Sequence, residues 1–151
     1  MKRFLAATVL FGTLGTVFTF AKEAKIKLED CPAAVQQAIK DNTKNVTLLG
    51  IAKDVENGKV EYEAETKLNG HSKDITFDET GKLLAVEEEV SISDIPAAAK
   101  TAIEKQATGG KIRKVEKITD GEKVTYEAAL TKNGKKSEVT VAGDGSPATE
   151  D

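Results

Sequence analysis

The sequence predicts an α+β protein made of two tandem repeats, each one helix followed by a three- to four-stranded antiparallel meander sheet. Three observations predict it. The chain matches itself at an offset of 64 residues, with 16 identities over the 52 aligned positions 30–81 and 94–145 and no gap. Each copy opens on a helix-start signature, Asp30-Cys31-Pro32-Ala33-Ala34 and Asp94-Ile95-Pro96-Ala97-Ala98, with proline in the first turn, where its missing N–H costs nothing. Each copy then alternates apolar and polar residues between Asn-Gly or Asp-Gly corners, the period of strands joined by tight hairpins. Turns, helix start and apolar positions recur in one register, as expected of one supersecondary unit written twice.

Ahead of the repeats, Lys2 and Arg3 precede an uncharged apolar stretch from Phe4 to Phe20, closed by Thr19-Phe20-Ala21. This is the pattern of a secretory signal, expected over residues 1–21. Its removal leaves 20 Lys+Arg against 25 Asp+Glu, a net charge of −5. The expected organisation is a signal segment 1–21, a first repeat 22–92, a second repeat 93–146 with a shorter sheet, and a disordered tail 147–151.

Within each repeat the elements follow in order. Asp30 and Asp94 are placed to cap the helices. Val35, Ala38, Ile39 and Ala99, Ala102, Ile103 fall at i, i+3, i+4 and line one helix face. Asn42 and the Gly109-Gly110 pair end the helices. The first strand, 46–55, alternates imperfectly. The second, 59–68, alternates cleanly, with Val60, Tyr62 and Ala64 on one face and Glu61, Glu63 and Glu65 on the other. A third strand spans 72–78, with Ile75 and Phe77 inward, and a fourth 83–90. The second copy repeats this as 111–118, 123–131 and 136–141, then departs from the pattern after Gly145. Helices are expected on one sheet face, leaving the other open to water.

Composition removes several functional classes. One Cys cannot form an internal disulfide. One Cys and one His fall short of the roughly four ligands of a structural zinc site. The acidic balance argues against a nucleic-acid partner, and the membrane is met only through the signal segment. No cofactor is expected. No phosphate-binding glycine loop or Ser-His-Asp spacing occurs, and the chain reads as a non-enzyme.

An exported chain with tandem units, each opening on Asp-x-Pro-Ala-Ala and running into Tyr62-Glu63-Ala64 or Tyr126-Glu127-Ala128 strands and Asn-Gly corners, resembles the PepSY-like proteins. These are grouped by fold with the secreted β-lactamase inhibitor proteins. The resemblance spans about residues 28–145. It implies a tandem helix-plus-sheet binding or inhibitory module of the cell envelope, periplasmic or secreted, with no catalytic motif.

The residues single out one surface. Glu61, Glu63 and Glu65 share a strand face, with Asp74 and Asp78 expected on the same face of the next strand. Two roles stand open for it: a docking platform for a protein partner, with a peptidase as one candidate, or a cation-binding or sensing face. His71 follows a hairpin corner and matches Lys135 in the other copy, as a solvated residue would. Cys31 matches Ile95, which points to packing. Tyr62 and Tyr126 are expected under the helices.

Overall fold

A computed structural model describes residues 24–56 and 58–148. The expected signal segment lies outside the described residues. Strand β1 (Ala24–Ile26) leads through a 3-10 turn (Leu28–Asp30) into helix α1 (Ala33–Asn42). Four strands follow: β2 (Thr47–Glu56), β3 (Lys59–Leu68), β4 (His71–Asp78) and β5 (Leu83–Glu89). Helix α2 (Ala97–Gln106) then precedes β6 (Lys111–Asp120), β7 (Lys123–Lys132) and β8 (Lys135–Ala142).

The strands form one eight-stranded antiparallel sheet in sequence order, β1 to β8. This corrects the expectation of two separate sheets of three to four strands. The junction is β5 on β6, with Ala85 to Glu89 opposite Asp120 to Glu116, and Val90 N–H donates to the Val115 carbonyl at 2.9 Å. Two separate meanders would leave the outer edge of β5 and the leading edge of β6 with rows of unpaired N–H and C=O groups. Pairing them satisfies both edges.

The duplication holds down to individual backbone bonds. Both first long strands carry a bulge at the same place, between Leu48 and Gly50 in β2 and between Ile112 and Lys114 in β6. The extra residue there explains the imperfect alternation of the first strand. Asn69-Gly70 and Asn133-Gly134 both take positive φ at both residues, the requirement of a type I′ hairpin corner. After β4, Gly81 N–H donates to the Asp78 carbonyl at 3.0 Å, and after β8, Gly145 N–H donates to Ala142 at 2.9 Å.

Both helices lie on one sheet face, each over its own core. Val35 and Ile39 of α1 pack with Cys31, Ile51, Tyr62, Ala64, Ile75 and Phe77. Ala99 and Ile103 of α2 pack with Ile95, Val115, Ala128, Leu130 and Val141, with Tyr126 against them. The helix starts differ from the sequence reading. Pro32 and Pro96 occupy the N-cap positions and no side chain caps either helix. Asp30 stands two residues too early to reach the first turn, and its carboxylate accepts from Lys27 N–H at 3.2 Å instead. The segment expected as a tail opens with order: Pro147 bridges to Val141 and Ala148 N–H donates to the Thr140 carbonyl at 3.0 Å.

Candidate functional site

The face opposite the helices is set by strand alternation. Because Tyr62, Ala64, Ile75 and Phe77 point to the helices, Glu61, Glu63, Glu65, Asp74 and Asp78 point away from them. The register brings these together: Glu61 lies opposite Asp78, Glu63 opposite Thr76 and Glu65 opposite Asp74.

The continuous sheet extends this face into the second copy. Asp74 lies opposite Glu87, Glu89 opposite Glu116, and Glu116 opposite Glu127. Carboxylates therefore face one another directly across β3, β4 and β5, and again across β5, β6 and β7. Cross-strand neighbours stand about 5 Å apart at Cβ, and like charges there destabilise a sheet. Two of these side chains are nearly enclosed near the middle of the ribbon: Asp74 and Glu116 are each 6% exposed.

Local partners hold the row in place. Asp74 accepts from Thr66 N–H at 3.0 Å. Glu116 meets the Lys114 ammonium at 2.7 Å, and Glu65 pairs with Lys25 of β1. Glu89 accepts from Ser72 N–H at 3.2 Å and faces His71 Nδ1 at 3.4 Å. The Ser72 bond, then the His71 imidazole, holds the Glu89 carboxyl below its ordinary range. Asp78 is drawn into its own turn. Its carboxylate accepts from Thr80 N–H at 2.8 Å, Thr80 Oγ1 at 2.6 Å and Lys82 N–H at 3.0 Å, and the Thr80 hydroxyl leads in lowering its pKa.

Of the reactive side chains, Cys31 sits apart from this face and His71 meets it through Glu89. Cys31 is 5% exposed in the first core, and burial, followed by the Asp30 charge, pushes its thiol above the ordinary value. A thiol so placed is a poor nucleophile at neutral pH. His71 belongs to a shallow cleft of about 340 Å³ at the junction of the copies, lined with Glu89, Val90, Ser91 and Asp94.

Beside the residues read from the sequence, the register adds Glu87 and Glu89, from the Glu87-Glu88-Glu89 run at the end of the fourth strand, and Glu116 and Glu127 to this face. Glu127 was within reach, because it is the repeat counterpart of Glu63. Alternate members of the Glu87-Glu88-Glu89 run share the phase of the outward face. Glu116 had no signal, since its counterpart is Ala52 and its place depends on the β5–β6 junction.

Comparison with known proteins agrees with this fold. Among solved structures, a protein of Bacteroides eggerthii described as a candidate periplasmic protein matches with TM-score 0.65 at 18% identity, over 79% of this chain and 86% of that one. A DUF2874-family protein of Bacteroides uniformis matches with TM-score 0.63 at 18% identity, over 79% and 87%. A BLIP-like protein of Bacteroides fragilis matches with TM-score 0.57 at 23% identity, over 80% and 85%. No curated protein matches the chain. The profile of the PepSY-like family, described as one of candidate beta-lactamase-inhibitor-like proteins, matches twice, over residues 17–85 and 61–145. With both copies recognised and the helix-plus-meander order in place, the chain belongs to the PepSY-like family.

Proposed function

We propose that this protein is a non-catalytic binding module of the cell envelope that captures a cationic protein partner on its open sheet face. The observation that carries the reading is the direct apposition of carboxylates across strands, Glu65–Asp74–Glu87 and Glu89–Glu116–Glu127. A sheet optimised for stability alone would alternate charge at these positions. A sequence that breaks a local rule over a contiguous patch marks a place kept for another purpose. Lysines and arginines of a partner are drawn to the half-buried members of the rows, Glu65, Glu87, Glu89 and Glu127. The field of the face speeds encounter more than it deepens final affinity, and salt weakens it.

Action follows from occupation: the partner's own surface is covered, so inhibition or regulation needs no covalent step. A peptidase is one partner class this mode suits. An envelope location is supported by the charged-then-apolar segment at residues 2–20 and by the description of the Bacteroides eggerthii neighbour as a candidate periplasmic protein. The cation-sensing alternative lacks a convergent ligand set, for among the described residues no three His, Cys, Asp or Glu side chains are grouped to hold a metal ion.

The test is affinity capture from the host envelope fraction, with the parent protein and a Glu61→Lys, Glu63→Lys, Glu65→Lys variant side by side. The partner should be retained by the parent, eluted by salt and lost from the variant. A partner that survives the charge reversal refutes capture by this face. Calorimetric heat at millimolar calcium or magnesium would favour the cation reading instead.

A further inference from the structure

The two copies agree bond for bond through the turn after β4 and the turn after β8, then part. In the first copy Asp78 N–H donates to the Lys82 carbonyl at 3.0 Å, and in the second Ala142 N–H donates to Ser146 at 2.9 Å. The first then runs on as β5, which pairs with β4 from Phe77 and Leu83 to Lys73 and Glu88. The second begins the same course, with Pro147 on Val141 in the place of Leu83 on Phe77, and Ala148 bonded to Thr140. Among the described residues no strand follows along β8 from Val139 back to Lys135.

We infer that this outer edge of β8, from Lys135 to Val139, is a strand-addition site for an extended acidic segment of a partner protein, bound as β5 is bound on β4. The first copy shows what such a segment must carry. Val86 lies opposite Ile75 and packs against the first core. Val139, the counterpart of Ile75, packs against the second core and is half-buried, so it asks for an aliphatic residue opposite. Three residues after Val86, Glu89 reaches Ser72 N–H at 3.2 Å and His71 at 3.4 Å. The counterparts of His71 and Ser72 are Lys135 and Lys136, both exposed. A glutamate in that place meets an ammonium group as well as a backbone N–H.

The fitting sequence is therefore an aliphatic residue, then a residue that is not acidic because it faces Glu138, the counterpart of Asp74, and a glutamate three positions after the aliphatic one, in extended form. Backbone bonds supply affinity and the alternate side chains supply specificity. A second copy of this chain is a poor occupant by charge, because it presents lysine at both ends of its sheet, Lys25 in β1 and Lys135 with Lys136 in β8. The site is separate from the acidic face and does not depend on it.

The probe is a fluorescein-labelled peptide, Lys-Leu-Leu-Ala-Val-Thr-Glu-Glu-Val-Ser, the sequence of residues 82–91 with threonine in the place of Glu87, which would face Glu138. Fluorescence anisotropy against the purified protein should saturate below about 1 mM, the weak end of capture by a short strand. Lys135→Glu with Lys136→Glu should weaken binding about tenfold. Lys136→Pro, which removes an edge N–H without disturbing β7, should weaken it at least as much. Amide exchange at residue 136 of the parent should slow on peptide addition. Both variants are exposed, and thermal melting checks each; if the proline variant fails to fold, the charge reversal decides. The inference is overturned if binding does not saturate, or if both changes leave it unaltered, as when the peptide displaces β5 from β4. It is also overturned if a peptide with lysine in place of the two glutamates binds equally well. Removal of residues 149–151 should leave affinity unchanged or raise it; a loss overturns the inference.

Discussion

Replacing Gly81 with alanine probes the contact that seats α1 on its sheet. Gly81 has φ +81°, and a β-carbon built on it would lie 2.7 Å from the carbonyl oxygen of Ala34 and 2.9 Å from its carbon. Both are backbone atoms of α1, so nothing flexible can swing aside. The left-handed conformation costs a non-glycine residue about 1–2 kcal/mol, and forcing helix and turn apart adds about 1–3 kcal/mol. The expected loss is therefore about 2–5 kcal/mol. Gly70→Ala is the control: φ is +89° but nothing lies within 4 Å, so only the conformational cost of about 1–2 kcal/mol applies. Gly145 stands 2.7 Å from the carbonyl oxygen of Ala98 by the same construction and should behave as Gly81 does. Urea denaturation measures each loss, and thermal melting should fall by about 3–5 °C per kcal/mol. If Gly81→Ala and Gly145→Ala cost no more than Gly70→Ala, the close seating of helix on turn is wrong, and the repeat is one of sequence only.

Phe77→Ala removes the largest fully buried side chain among the described residues and should cost about 3–5 kcal/mol by denaturant midpoint; a loss under 1 kcal/mol would contradict its place in the core. Cys31 should react with a disulfide reagent at pH 8 far more slowly in the native protein than in urea, since the thiol is both buried and raised in pKa; equal rates would place it at the surface. Glu89 and Asp78 have lowered carboxyl pKa values, so their contribution to stability is full above the pKa of the unfolded groups, about 4, and fades as pH falls through the lower native values. Stability measured by urea titration should drop between about pH 4.5 and 3, and Asp78→Asn should flatten part of that slope; a slope unchanged by Asp78→Asn would remove this group from the acid response.

What was legible in the sequence is what local chemistry dictates. The paired Asn-Gly corners need positive φ at both residues, and they have it at Asn69-Gly70 and Asn133-Gly134. The alternation of 59–68 put Glu61, Glu63 and Glu65 on one face, and the corner at Asn69-Gly70 fixed the register that sets Asp74 and Asp78 beside them. What was not legible depends on partners distant along the chain. The β5–β6 pairing joins strands separated by α2, and no turn between them announces it. The joining of Glu116 and Glu127 to the acidic face follows from that junction. The helix caps were misread because proline set the first turn later than aspartate suggested. The cover that β1 gives Ile51–Lys53 of β2 leaves no mark in the sequence, because β1 is only three residues long, too short to show a period.

Because each strand pairs only with its predecessor and its successor in sequence among the described residues, the sheet is coupled in one dimension. Within the sheet the two hydrophobic cores are joined by the pairing of Ala85–Glu89 with Glu116–Asp120. Injury to the first core that spreads through the sheet crosses that hem, where Glu89 confronts Glu116 and the chain has to travel round a whole helix to close the gap.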